Sequence, residues 1–166
     1  MAKKETPKTH KETPEMVQAL PIFNNAHYIK DLSFENPGIL KNLMEPGKAP
    51  QIAVNIQVEV KNMAPSVFEV VLLIEARADV EKEFLFLAEL SYGGIFTLEE
   101  SITEEDSRPL LLIECPRLLF PFARSIIANV TRDGGLPPLL LNPVDFAALY
   151  RQQHQSELSP AGGDKK

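Results

Sequence analysis

The chain has 166 residues, a single cysteine and a formal net charge of −6, which fits one domain able to bury roughly two thirds of its unfolded surface. An acidic surface repels phosphate backbones and so argues against nucleic-acid binding and for a basic protein partner, while a lone cysteine rules out an internal disulfide and suits a reducing cytosol. Met16 to Phe23 is interrupted by Gln18 and Pro21 and never reaches an apolar run long enough for a signal peptide or a membrane span, so a cytoplasmic protein without direct membrane insertion is expected.

Residues 1–26 mix Lys, Glu, Thr and Pro with little apolar content. Such a segment cannot bury enough surface to offset its ordering entropy, and a flexible tail is expected there. The domain itself is read as 27–155. A first strand has Tyr28, Lys30, Leu32 and Phe34 on one side and Ile29, Asp31, Ser33 and Glu35 on the other, ending at Pro37-Gly38. Residues 38–50 form a connection with proline breaks. Ile52, Val54, Ile56, Val58 and Val60 then alternate with polar residues, the cleanest period-two pattern in the chain and the mark of a strand with one wet face.

Val67 to Val80 and Phe84 to Leu98 read as two further strands, separated by Glu81-Lys82-Glu83. Val71 and Leu73 make part of the second face apolar, and Gly93-Gly94 permits a bend or bulge. Short turns between these strands imply an antiparallel meander. Glu99 to Ser107 reads as an acidic loop, and Arg108 to Glu114 as a short helix ended by Pro116. Leu119, Phe122, Ala123, Ile126 and Val130 then recur at spacings of three and four, opposite Arg117, Arg124 and Asn129, which predicts a long amphipathic helix stopped by Gly134-Gly135.

After that stop, LPPLLL (136–141) cannot be helical because of its adjacent prolines, yet it carries four leucines. It is a leucine-rich strap. Asn142, Pro143 and Asp145 reopen a short helix as N-cap, rigid first position and early carboxylate. Residues 156–166 read as a second flexible tail. Four strands followed by two helices predict an α+β fold: a four-stranded antiparallel sheet with a long and a short C-terminal helix packed on one face.

Four blocks in order, YIKDLSFENP, YGGIF, CPRLLFPFAR and the ending GG-x-P-x-L-x-L-x-PV-x-F-x-ALY, resemble the SecB family of protein-export chaperones from about His27 to Tyr150. The resemblance implies an ATP-independent holdase that keeps preproteins unfolded and passes them to the SecA motor. It implies a homotetramer, a dimer of dimers with helices between the sheets. It also implies that Asp31, Glu35 and Glu89, with Leu87 beside them, dock the basic, zinc-bearing C-terminal tail of SecA. Grooves beside the strap, lined by Ile52, Val54, Ile56, Leu136, Leu139 and Leu141, would hold unfolded chains.

The residues themselves offer little chemistry to set against that reading. His10, His27, His154 and Cys115 lack metal-ligand spacing, and neither glycine pair sits in a nucleotide motif, so no metal, cofactor or enzymatic activity is expected. Cys115, before Pro116 at a helix start, is the one candidate nucleophile; a packed, inert thiol is the plainer reading because no motif supplies a base. Asp31 and Glu35 lie about 13 Å apart along a strand, too far for a carboxylate pair. The apolar surplus of two-sided strands and strap points to subunit burial or to a ligand groove, and an oligomeric small-ligand-binding protein is the alternative reading.

Overall fold

The computed structural model describes residues 20–45, 47 and 49–158, with 153–158 as backbone only. The expectations for 1–19 and 159–166 fall outside those residues. Strands β1 (Ile22–Glu35), β2 (Gln51–Ala64), β3 (Val67–Val80) and β4 (Glu83–Leu98) form one antiparallel sheet in the order β1-β4-β3-β2. β2 to β4 make the expected meander. Its turns use Ser66 and then Glu81 and Lys82 with positive φ, so the second turn is the two-residue kind whose backbone twist suits a hairpin.

Directly partnered residues project from the same face of a sheet. The pairs Leu72↔Tyr92, Ile74↔Leu90, Ala76↔Ala88 and Phe68↔Phe96 therefore build one apolar face, and nearly all of these side chains belong to the buried core. The apolar row of β2 lies on that face too, because Val54, Ile56 and Val58 pair with Ala76, Ile74 and Leu72.

β1 departs from the simple alternation. It begins at Ile22, ahead of the expected start near Tyr28, and it is bulged between Asn24 and Ala26 and again between Ile29 and Asp31. A bulge inserts one residue into a period-two pattern and so changes which side chains share a face. Ile29, Leu32 and Phe34 partner Tyr92, Leu90 and Ala88 on the core side, whereas Tyr28 joins Asp31, Ser33 and Glu35 on the open side. The expected grouping of Tyr28 with Leu32 and Phe34 is thus corrected, while that of Asp31 with Ser33 and Glu35 holds.

Gly93 and Gly94 make no bulge, since the β3–β4 register runs through them unbroken. They allow close approach instead: a Cβ on Gly93 would meet the Tyr28 ring at 3.0 Å, and one on Gly94 would meet Phe96 at 2.6 Å and Leu119 at 2.8 Å.

Helix α1 (Ile39–Met44) follows β1, and α2 (Glu104–Pro109) occupies most of the expected acidic loop, capped by the Thr103 hydroxyl, which accepts from the Asp106 amide at 3.2 Å. Three carboxylates in its first turn suit the positive helix end. A π turn, Leu110–Glu114, leads directly into α3 (Cys115–Asp133). Pro116 therefore opens α3 rather than ending a helix. Proline has no N–H to continue the ladder, and the wider turn, in which Cys115 N–H reaches Leu110 O, shifts the hydrogen-bond register just before it.

α3 crosses β4 and β3. Its buried stripe is Cys115, Pro116, Leu119, Phe120, Ala123, Ile127 and Thr131, rotated from the stripe expected through Phe122, Ile126 and Val130. Phe122 remains 47% exposed. The helix ends at Gly134 and the chain turns through Gly135 at φ 82. α4 (Phe146–Leu158) runs past the expected tail boundary at 156. Its cap is Asp145, which accepts from the Ala148 amide at 2.9 Å, not Asn142. Phe146 inserts into the core with its ring edge-on to Phe120.

The sheet and α3 meet closely at Gly94, and its neighbours Phe96 and Leu119 are both fully buried. Gly94→Val is expected to lower stability by about 1–3 kcal/mol through overpacking, read as a lower urea midpoint at unchanged slope.

Candidate functional site

α3 covers the middle of the sheet and leaves the apolar row of β2 to the π turn before it and to the strap. Beside it, two cavities of about 350 Å³ and about 480 Å³ adjoin, and both are lined by Ile52 and Leu139. The first extends toward Asn42 of α1, Phe86 and Leu136; the second runs past Val54, Ile56, Leu140 and Leu141. The six groove residues expected from the sequence therefore come together. They divide by depth, however. Ile52 and Val54 are 43% and 44% exposed, Ile56 and Leu139 are half-buried, and Leu136 and Leu141 lie in the core. Leu136 and Leu141 thus form the floor of the groove and are not free side chains on its wall.

Leu140, 63% exposed, was absent from the sequence reading. In an extended strap neighbouring side chains alternate, and the burial of Leu141 turns Leu140 outward, a signal hidden in a run of identical residues. α1 adds Leu40, Leu43 and Met44, all exposed apolar side chains near one end of the groove. β2 is also an edge strand, so one side of its backbone has no partner strand among the described residues.

The opposite face of the sheet carries a different surface. Glu35 partners Leu87, Ser33 partners Glu89, and Asp31 partners Ser91. Asp31, Glu35, Leu87 and Glu89 accordingly form one patch, with three exposed carboxylates around a half-buried leucine. Ser33 Oγ donates to Glu89 Oε2 at 3.0 Å. Glu75, which sequence reasoning did not single out, lies directly across from Glu89 and enlarges the patch. Like charges opposite each other are unfavourable in a ladder, so this pairing adds local negative potential without adding stability.

Above the patch sits the second β1 bulge. Glu69 of β3 is almost fully buried on this face; the Tyr28 hydroxyl donates to it, and Lys30 Nζ reaches both its oxygens at 2.9 and 3.0 Å. The Tyr28 bond first, then Lys30, hold its carboxyl below the usual range. A buried carboxylate without such partners would be costly, so this trio anchors the bulged segment of β1 to the middle of the sheet.

Cys115 is buried, and burial, with the charge of Glu114 adding to it, pushes its thiol up to about 12. Such burial disfavours the thiolate, the form in which a cysteine acts as a nucleophile. Among the described residues no three His, Cys, Asp or Glu side chains are grouped to hold a metal, and no helix is long and apolar enough to cross a membrane.

The family profile described as preprotein translocase subunit SecB matches residues 16–157. The chain belongs to the SecB family. Relatives named as protein-export protein SecB include that of Bradyrhizobium sp. (strain BTAi1), 51% identical over 82% of this chain and 84% of its own, and that of Paramagnetospirillum magneticum, 54% identical over 76% and 81%. SecB family membership makes this a protein-export chaperone by family. The SecB-like fold agrees with a solved SecB-like chaperone of Mycobacterium tuberculosis in complex with a ChAD peptide from an antitoxin: TM-score 0.62, 16% identity, covering 75% of this chain and 91% of that one.

Proposed function

We propose that this SecB family member is an ATP-independent holdase that acts in the cytoplasm, binds unfolded preproteins in the groove between β2 and the strap, and hands them to SecA through the acidic patch on the opposite face. The observation that carries the reading is the apolar wall of Ile52, Val54 and Leu140 beside an unpaired strand edge. An extended chain laid there can bury side chains in the groove and pair its backbone with β2, a mode that recognises unfolded segments without a sequence code. Each fully buried aliphatic side chain contributes roughly 1.5–3 kcal/mol, and a few such contacts supply useful affinity without a nucleotide cycle. The peptide held by the Mycobacterium tuberculosis neighbour supports peptide binding as a property this fold accommodates.

Ile52→Asn combined with Leu140→Asn is expected to weaken binding of a permanently unfolded polypeptide at least about tenfold and to abolish suppression of aggregation in light scattering without nucleotide. The circular-dichroism spectrum should stay that of the parent. Unchanged affinity would put the client site elsewhere.

For SecA, the supporting observation is geometric: Asp31, Glu35 and Glu89 share the face away from the groove. Exposed charges are screened over about 8 Å at physiological salt, so association with SecA's basic, zinc-bearing C-terminal tail should depend strongly on ionic strength. Asp31→Ala and Glu89→Ala should each weaken SecA binding in calorimetry and flatten its salt dependence, leaving aggregation suppression near the parent level. Parallel loss of both activities would sink the assignment.

A homotetramer, a dimer of dimers with helices between the sheets, is part of the same proposal. Ile29 and Leu32 of β1 and Leu118 and Phe122 of α3 are exposed apolar side chains outside the groove, and a second layer of subunits would cover them. Sedimentation at micromolar concentration should give a tetramer; a monomer would remove this arrangement.

A further inference from the structure

We propose that Thr131 is the positioning residue of the groove, its buried hydroxyl holding the leucine-rich strap to the end of α3 and thereby setting Leu139 against Ile52. The inference rests on the client groove proposed above and names the residue that shapes it.

Thr131 is fully buried in the last turns of α3. Its hydroxyl faces the Ile127 carbonyl oxygen at 2.9 Å and the Ala128 carbonyl oxygen at 3.1 Å, and the Leu139 amide nitrogen at 2.9 Å. A hydroxyl has one proton. The carbonyls can only accept, so the proton goes to the helix, and the Leu139 N–H donates to a lone pair of Oγ1. The Thr131 carbonyl in turn accepts from the Leu136 amide at 3.1 Å. One residue therefore ties the strap at both ends of its Leu136–Leu139 segment.

The sequence between those two bonds explains why a side chain is needed. Pro137 and Pro138 have no N–H to offer, so after Leu136 the next backbone donor in the strap is that of Leu139. Its amide is part-buried, and it donates to the Thr131 hydroxyl. Left without a partner, it would be driven to turn toward water. That turn would move the Leu139 side chain, which together with Ile52 lines both cavities. The junction of the two cavities is consequently set by a hydroxyl that lines neither of them: Thr131 itself is fully buried.

The test compares Thr131→Val, which keeps the shape and removes the hydroxyl, with Thr131→Ser, which keeps the hydroxyl. Two quantities are measured: hydrogen exchange at the Leu139 amide, and affinity for a reduced, S-carboxymethylated polypeptide as a permanently unfolded probe. Thr131→Val should speed Leu139 exchange and weaken the probe's binding, each about tenfold, and Thr131→Ser should restore both. Should the valine pack poorly, Thr131→Ala removes the hydroxyl by another route and is judged by the same two readings. Unchanged Leu139 exchange in the variants lacking the hydroxyl overturns the proposal. Faster exchange with unchanged affinity, in a protein where Ile52→Asn still weakens binding, also overturns it while leaving the groove in place. If Ile52→Asn has no effect either, the groove reading falls and the role of Thr131 in it falls too.

Discussion

A single helix is too narrow for this sheet, and that mismatch organises the molecule. An α-helix with its side chains is about 10–12 Å across, whereas four strands spaced by about 4.8 Å present a wider apolar face. α3 settles over β4 and β3, where Gly94 lets Leu119 approach the sheet closely. The apolar rows of the two edge strands are left over. On β2 the strap partly covers the row and leaves a groove; on β1, Ile29 and Leu32 stay exposed beside Phe122 of the helix. The regions proposed for clients and for partner subunits are thus the two margins of one incompletely covered sheet.

The other face is more polar for a related reason, although Val71 is buried on it. Among the described residues no helix is laid on it, so Asp31, Glu35, Glu75 and Glu89 remain exposed, whereas Glu69 is drawn under, where Tyr28 and Lys30 complete its hydrogen bonding. The bulge that brings Lys30 over Glu69 also shifts the phase of β1, so that Asp31, Ser33 and Glu35 line up with Glu89 and Leu87 of β4. A sheet transmits this arrangement rigidly, because each position's face is tied to its partner's. The groove and the acidic patch lie on opposite faces of the same sheet, one along β2 and the other along β1 and β4, so occupation of one does not block the other.

Much of this was legible in the residues. Period-two alternation assigned the faces of β2 and β3 and of β4 from Phe86 to Tyr92 correctly, but Phe84, which falls in phase with Phe86, lies on the other face, because a register shift sets it opposite Asp79 under the Arg77 guanidinium. The strap announced itself by adjacent prolines among leucines, and the six groove residues do converge. Phe122 and Leu141 show where the reading failed. Phe122 is as apolar as Leu119 and falls at helical spacing, yet it lies beyond the stripe that the sheet covers; Leu141 looks like Leu140 and is buried where its neighbour is not. Apolar character states what a side chain would gain by burial, and only its neighbours state whether it is buried.

By itself the sequence determined the kinds of elements, their order, the family and the residues from which both surfaces are made, because periodicity, turn chemistry and four ordered motifs are local properties of the chain. The tertiary structure alone decided the bulge at Lys30 that moves Tyr28 to the open face, the rotation of α3 about its axis, the pairing of Glu75 with Glu89, and the bond from the Leu139 amide to Thr131. Each of these joins residues distant in sequence or depends on which of several equivalent apolar side chains meets the sheet. No local pattern encodes that choice; it is made when one helix, too narrow for the sheet, settles over β4 and β3.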